Sequence, residues 1–295
     1  MITLSNCPNC NAGSFEPFIM CKDYTVSQET FQIVSCKGCG FKFTNPRPAN
    51  DKLGDYYKSE EYISHSNTSK GLISKLYKIV RNYTLKGKLN LVAKHSSKGN
   101  LLDYGCGTGM FLSVAKSSTW NVYGIEPDSG AREFAVKENG LTVYPDLGTA
   151  HKFWEGTQFN CITLWHVLEH VTELNDTLTW FNTKLNQNGT LIIAVPNHKS
   201  YDAEYYKEHW AAYDLPRHLY HFEQKTMVEI VQKAGFKHIE SLPMKFDSFY
   251  VSMLSEKYKT GKINYISAFL NGLKSNMMAK EASRYSSVIY VFKKA

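Results

Sequence analysis

The residues that most restrict the fold of this chain are Leu101-Leu102-Asp103-Tyr104-Gly105-Cys106-Gly107-Thr108-Gly109. An apolar run ends on an acid, three glycines alternate, and Met110-Phe111-Leu112-Ser113-Val114-Ala115 continues at helical spacing. That order predicts a strand, a tight turn and a helix N-terminus, which bring backbone N–H groups up to a nucleotide-like ligand. The spacing argues against two familiar versions of the motif. A dinucleotide turn reads G-x-G-x-x-G, whereas Met110 holds its sixth position here. A phosphate-cradling P-loop needs a lysine that does not follow.

Downstream, apolar runs and helical patterns alternate. Strands are predicted over 100–104, 121–126, 141–144, 159–165, 190–195, 236–242 and 287–293. Helices are predicted over 109–118, 129–139, 148–154, 173–186 and 224–234. This alternation implies an α/β fold with right-handed crossovers and a parallel sheet covered by helices on both faces. Its ligand is expected at the carboxyl ends of the strands, near the switch point beside the first one. Residues 245–285, rich in Lys, Ser, Asn and Met, interrupt the last two strands and read as a helical insertion. Residues 1–48 read as a cysteine-bearing module closed by Asn45-Pro46-Arg47-Pro48, and 49–98 as a mostly helical connector. The α/β domain then runs over 99–295.

Cys7-Pro8-Asn9-Cys10 and Cys36-Lys37-Gly38-Cys39 are two CxxC knuckles, each able to present two thiolates to one tetrahedral Zn²⁺. A segment this short has little core of its own, and metal binding offsets that deficit. A redox CxxC would sit at a helix start in a thioredoxin-like unit, and two paired copies argue against it. Cys21 is not expected among the ligands. Cys106 and Cys161 fall in the ligand turn and a core strand, so a reducing cytoplasm fits better than a disulfide framework. No apolar run reaches the length of a membrane span, and Met1-Ile2-Thr3-Leu4 leads into no signal-peptide core.

The net charge of +7 is concentrated. Lys70, Lys75, Lys78, Arg81, Lys86, Lys88, Lys94 and Lys98 occur with no acid among them. Leu72, Ile73, Leu76, Ile79, Val80 and Tyr83 recur there at helical spacing, which predicts a basic amphipathic helix. It is expected to pack on the α/β domain with its charged face in water. RNA or an anionic lipid surface is the alternative partner.

An acid followed by G-x-G-x-G resembles motif I of the class I S-adenosylmethionine-dependent methyltransferases. The resemblance extends to Val122-Tyr123-Gly124-Ile125-Glu126-Pro127-Asp128, where an acid ends the second strand, and to the segments Phe159–Val171 and Gly189–Asn197. Asp214-Leu215-Pro216-Arg217-His218-Leu219-Tyr220-His221-Phe222 is similar to a bacterial branch acting mainly on small molecules. The resemblance covers roughly 99–242. It implies a Rossmann-like seven-stranded methyltransferase sheet, here with a small N-terminal zinc ribbon. It also implies S-adenosylmethionine as cofactor, held around Asp103, Gly105, Cys106, Gly107 and Gly109. Glu126 is expected on the ribose hydroxyls with Pro127 beside it, Asp146 and Leu147 near the adenine, and Trp165 on the following strand.

Methyl transfer from a sulfonium is an in-line displacement, and oxygen or carbon acceptors often also need a base. His166 and His218 are the preferred bases or acceptor contacts among His166, His170, His218 and His221. Arg217 with Asp214 either binds a polar acceptor or forms a pair of its own. Tyr213 and His221 complete the acceptor contacts. Tyr205, Tyr206, Trp210, Tyr213 and Tyr220 are dense enough to form either a lid or packed core. His166-x-x-Glu169-His170 is similar to the E-x-x-E-H metal loop of small-RNA 3′-end methyltransferases, with His in place of the first Glu. With His218 or His221 added, such a loop would hold a divalent ion that orients acceptor hydroxyls. The acceptor is expected to be a small molecule or biosynthetic intermediate. An RNA methyltransferase is the first alternative and a non-catalytic zinc-ribbon adaptor the second. No Asn-Pro-Pro-Tyr-like tetrad supports the RNA reading, because the fifth strand runs into Val195-Pro196-Asn197-His198.

Overall fold

In the computed structural model, the residues described are 1–58 and 72–295, for 72–78 the backbone alone. The cysteine module is an antiparallel sheet of β1 (Phe15–Lys22), β2 (Thr30–Cys36) and β3 (Lys42–Thr44). Strand β2 is buried on both sides: Phe31 and Ile33 join one core cluster, Val34 and Cys36 the other.

Helix α1 (Leu72–His95) is the predicted basic helix. Lys70 and the side chains of Leu72, Ile73, Lys75, Leu76 and Lys78 lie outside the described residues. Its packing stripe differs from the predicted one. Leu85 and Val92 are buried, with Leu89 and Leu91 partly so, whereas Ile79 and Tyr83 are 65% and 68% exposed.

The α/β domain then runs β4 (Asn100–Tyr104), α2 (Met110–Ser117), β5 (Asn121–Ile125), α3 (Ser129–Lys137), β6 (Val143–Tyr144) and α4 (Leu147–His151). It continues with β7 (Phe159–Trp165), α5 (Leu174–Lys184), β8 (Leu185–Pro196), α6 (Tyr201–Tyr206), β9 (Tyr220–His221) and α7 (Gln224–Lys233). The last elements are β10 (Phe236–Pro243), α8 (Asp247–Thr260), α9 (Tyr265–Met278) and β11 (Ser287–Lys294). The seven-stranded sheet has the order β10-β11-β8-β7-β4-β5-β6. β4 to β8 pair in parallel, but β11 is antiparallel to both its neighbours, so the sheet is mixed and not wholly parallel as expected. The inner strands are buried on both faces and correspondingly apolar, as Leu191-Ile192-Ile193-Ala194-Val195 of β8 illustrates.

From β4 the chain builds outward through β5 and β6 on one side and through β7 and β8 on the other. The order therefore reverses beside β4, and open α/β sheets take their ligands at such a switch point, here the carboxyl ends of β4 and β7. The predicted insertion is the helix pair α8–α9. β9 lies outside the large sheet and pairs with β3, Phe43 opposite Tyr220 and Lys42 opposite His221. The cysteine module is thus hydrogen-bonded directly to the loop that follows β8.

Candidate active site

The three glycines of the turn do different work. Gly105 and Gly109 both have φ +76°, and a Cβ added to either would collide with a neighbour. At Gly105 it would lie 2.4 Å from a Val167 methyl, and at Gly109 2.4 Å from Leu141 and 3.1 Å from Ala135. Gly107, at φ +54°, faces open space with nothing within 4 Å. Close packing therefore accounts for the outer glycines, and open space lies beside the central one. Cys106 was expected to touch the cofactor, but its side chain turns inward against Leu112, Ala135, Leu141 and Val143, leaving only its backbone at the turn.

Glu126 follows β5 and faces the turn. One carboxylate oxygen accepts the Gly107 N–H at 2.7 Å and the other the Asp128 N–H at 2.9 Å. Burial pushes this carboxyl above its ordinary value, while the two N–H donors act against that. Each oxygen keeps a lone pair for a further donor. Pro127 beside it is exposed, and Asp128 caps α3 through the Ala131 N–H at 2.7 Å. Asp146 caps α4 in the same way through Thr149 at 2.7 Å, with Leu147 half-buried next to it at the end of β6. Asp103 sits beneath the turn, only 2% exposed, and accepts the Thr163 hydroxyl at 2.7 Å. Burial pushes its carboxyl up to about 7 against the opposing effects of Thr163 and Lys88.

The loop after β7 forms the opposite wall. Trp165 meets the edge of Phe111 and carries the Lys88 ammonium 4.4 Å above its ring. Its buried indole N–H has no hydrogen-bond partner among the described residues. Lys88 reaches in from α1 and was missed by the sequence reading, in which it was one cation of a solvated face. Burial lowers its pKa, and the nearby Asp103 and Asp247 carboxylates oppose that shift.

His166 adopts a left-handed conformation, φ +60°, which a non-glycine residue rarely takes. Its Nε2 lies 2.8 Å from Asp247 and its Nδ1 3.5 Å from Glu169. Burial disfavours the charged ring, but Asp247 and Glu169 outweigh it and push the pKa up to about 10. His166 is therefore a cation held between two carboxylates, and the expected role of free base does not suit it. Sequence reading missed Asp247, the partner that decides this, because it lies 81 residues away.

Glu169, His170 and His218 converge, each offering a ligand atom within 4.8 Å of the others. Glu169 is 1% exposed, and neither carboxylate oxygen has a hydrogen-bond partner among the described residues, His166 standing off at ion-pair distance. His170 Nδ1 lies 3.1 Å from the Arg217 carbonyl and 2.9 Å from the Tyr57 hydroxyl. His218 Nδ1 lies 2.9 Å from the Ala212 carbonyl. A carbonyl can only accept, so both Nδ1 atoms carry a proton, and Nε2 is the position on each ring from which a lone pair can be offered.

The remaining acceptor candidates are placed differently from expectation. Arg217 is 2% exposed and held by Asp214, by Asp23 of the cysteine module at 3.1 Å and by the Tyr56 carbonyl, so it is an internal tie and not a free acceptor contact. His221 is buried with Nε2 3.2 Å from the Thr44 hydroxyl, and Tyr213 is buried against Trp210 and His221. These three fasten the loop to the cysteine module. Tyr206, Trp210, Tyr213 and Tyr220 are likewise core and not lid, and of that group Tyr205 alone is exposed, at 40%.

At the far end of the module, the sulfurs of Cys7, Cys10, Cys36 and Cys39 lie within 4.8 Å of one another. Cys7–Cys39 are 3.7 Å apart and Cys10–Cys36 3.5 Å. A tetrahedron with Zn–S of about 2.3 Å has edges of about 3.8 Å, so four thiolates at this spacing fit that ion. Cys21 is buried in the other core cluster, away from them.

A sequence profile for a methyltransferase domain matches residues 77–241. Among solved structures, magnesium protoporphyrin IX methyltransferase from Synechocystis PCC 6803, with S-adenosylhomocysteine bound, aligns at 14% identity and TM-score 0.53. That alignment covers 84% of this chain and 100% of the other. A SAM-dependent methyltransferase from Archaeoglobus fulgidus aligns at 17% identity and TM-score 0.48, over 72% of this chain and 94% of the other. No curated protein matches the sequence significantly. The matched profile spans more than half of the chain and contains the glycine turn, Glu126 and the loop after β7. The chain thus belongs to the methyltransferase-domain family, with the fold of the class I S-adenosylmethionine-dependent enzymes.

Proposed function

We propose that this enzyme transfers a methyl group from S-adenosylmethionine to a small-molecule acceptor. The observation that carries this reading is the asymmetry of the turn: space opens beside Gly107 alone, opposite the Glu126 carboxylate. Gly105, Gly107 and the backbone of Cys106 would hold the donor, with Glu126 on the ribose and Pro127, Asp146 and Leu147 around the base. The unpartnered indole N–H of Trp165 supports a polar ligand on that wall. When bound, the cofactor supplies a methyl group on a positively charged sulfur. The chain must align the acceptor and exclude water. Lys88 and the His166 cation suit an acceptor with negative or strongly polar groups. The Nε2 atom of His218 is the ring nitrogen able to take up the acceptor's proton. A non-catalytic adaptor role is set aside because the matched domain is that of a methyltransferase, and no observation favours RNA as the acceptor.

Titration calorimetry with S-adenosylhomocysteine tests this reading. Binding by the wild type and none by Gly107→Arg is the expected result. Equal binding by both, or none by the wild type, would overturn it. The four clustered cysteines we read as a structural Zn²⁺ site.

The Glu169 carboxylate, without a hydrogen-bond partner among the described residues, favours a second reading of the same residues: a divalent cation held by Glu169, His170 and His218, in which His218 Nε2 is a ligand and not a base. Two imidazoles and one carboxylate, each ring fixed by its Nδ1–H on a carbonyl, form a donor set suited to such an ion. Bound there, the ion would act as a Lewis acid on an acceptor oxygen. Titration with Mn²⁺, followed by its paramagnetic resonance signal, should show one site per chain that Glu169→Gln abolishes.

A further inference from the structure

Helix α9 is turned inside out. A surface helix normally buries its apolar stripe and shows its polar face to water. Here Ala268, Asn271, Gly272 and Ser275 are buried, while Tyr265, Ile266, Phe269, Leu270 and Met277 are 57–75% exposed. The arrangement is locked by packing and polar contacts. A Cβ on Gly272 would lie 2.8 Å from the Phe249 ring, so nothing larger fits that contact with α8. Ser275 donates to Asp202 at 2.6 Å, and Ser267 donates to the buried Glu256 carboxylate at 2.6 Å. Rolling the apolar face inward would break both bonds and leave two buried acids short of donors.

The exposed face extends beyond one helix. Phe269 stacks on Phe249 of α8, with ring centroids 5.4 Å apart. Phe246, immediately before α8, is 43% exposed and meets the Tyr83 ring of α1 at 5.9 Å. Tyr83 and Ile79 on α1 belong to the apolar stripe that the helical pattern expected to be buried, and both are exposed. A single aromatic and aliphatic strip thus joins α1, the start of α8 and α9.

Its surroundings are basic. Lys245, Lys262 and Lys280 are exposed around the insertion. Of the acids in 245–285, Glu256 is buried and Asp247 is paired with His166, which leaves Glu281 as the exposed one. Lysines bordering large exposed apolar side chains complement an anionic lipid surface, where the side chains enter the acyl boundary and the ammonium groups stay among the headgroups. A second copy of the chain would bring the same cations against one another across a two-fold axis. Among the described residues no helix is long and apolar enough to cross a membrane. We propose that the strip formed by α9, Phe246 and Tyr83 seats the enzyme on an anionic membrane surface.

Flotation of the full-length chain with vesicles of 70% phosphatidylcholine and 30% phosphatidylglycerol tests this, alongside vesicles of phosphatidylcholine alone. The wild type should float with the anionic vesicles, and the bound fraction should fall in high salt. Ile266→Glu with Phe269→Glu should lower the apparent affinity by at least about tenfold. Because both side chains point outward, that variant should keep its melting temperature and its S-adenosylhomocysteine binding. Failure of the wild type to float, or equal flotation of the variant, overturns the proposal. So does concentration-dependent dimerisation that the variant abolishes in the absence of vesicle binding, since the face would then belong to a second copy. The assay requires no methyl acceptor, so its outcome is independent of the catalytic reading.

Discussion

Gly105 and Gly107, two positions apart in the turn, should respond differently to the same added methyl group. At Gly107 the methyl meets no neighbour, so the structural penalty of Gly107→Ala is the left-handed backbone alone, about 1–2 kcal/mol. Loss of freedom in the unfolded chain returns about 0.4–1 kcal/mol, leaving a net cost of about 1 kcal/mol. At Gly105 the same backbone cost applies, and the methyl also lies 2.4 and 2.8 Å from the two Val167 methyls and 3.2 Å from its Cβ. A β-branched side chain cannot swing clear, so overpacking adds about 1–3 kcal/mol. Scanning fluorimetry with and without S-adenosylhomocysteine reads both effects. Gly107→Ala should melt within about 4 °C of the wild type yet lose the ligand-induced rise, while Gly105→Ala should melt roughly 5–12 °C lower without ligand. A Gly107→Ala protein that keeps its full ligand response would refute the assignment of the open face to the cofactor. A Gly105→Ala protein as stable as the wild type would refute the packing argument.

Other expectations concern the tie between the cysteine module and the loop after β8. Arg217→Ala removes the cation from Asp23 and Asp214 and should lower unfolding free energy in urea by about 3–5 kcal/mol. Arg217→Lys should recover only part of that, because a lysine cannot serve both acids in a fork. Burial pushes the Asp23 carboxyl up, but the Ser27 N–H and Arg217 outweigh it and hold the carboxyl below its ordinary value. Its contribution is therefore complete above about pH 4 and lost as pH falls through the lowered value. Acid titration of Asp23→Asn should show less stability at neutral pH and a shallower loss on acidification. Prolonged chelation should lower the melting temperature of the wild type, with metal analysis showing Zn²⁺ released, and Cys36→Ser should start from the lowered value.

The parts of the fold that were legible are those in which local pattern and tertiary role coincide. Leu101-Leu102-Asp103 followed by alternating glycines could be read as strand and turn because the apolar run, the acid and the three glycines all act within nine residues. Glu126 is legible as the acid that closes the next strand, and the two CxxC pairs as local knuckles whose four sulfurs the fold brings within 4.8 Å of one another. Where partners are distant the pattern was silent or misleading. β9 is two residues long and exists only through β3, more than 170 residues earlier, so no periodicity marks it. The tyrosines and Trp210 after β8 carry the composition of a lid, but burial decides core from lid and composition does not. His166 looked like a base until Asp247, supplied by the insertion, claimed its Nε2. Lys88 was hidden among like charges, and only the turn of α1 brings it over Trp165. The outward faces of Ile79 and Phe269 contradict the rule that apolar periodicity predicts the buried side.

The pairing of β3 with β9 has a consequence for how the molecule can be divided. A cut near residue 48 is natural on paper, yet it would expose the edges of both strands and strip Arg217 of the Asp23 carboxylate. It would also unseat the segment that holds His218. The thiol-bearing end is therefore a buttress for the catalytic end, and damage to either should be felt by both in one unfolding event.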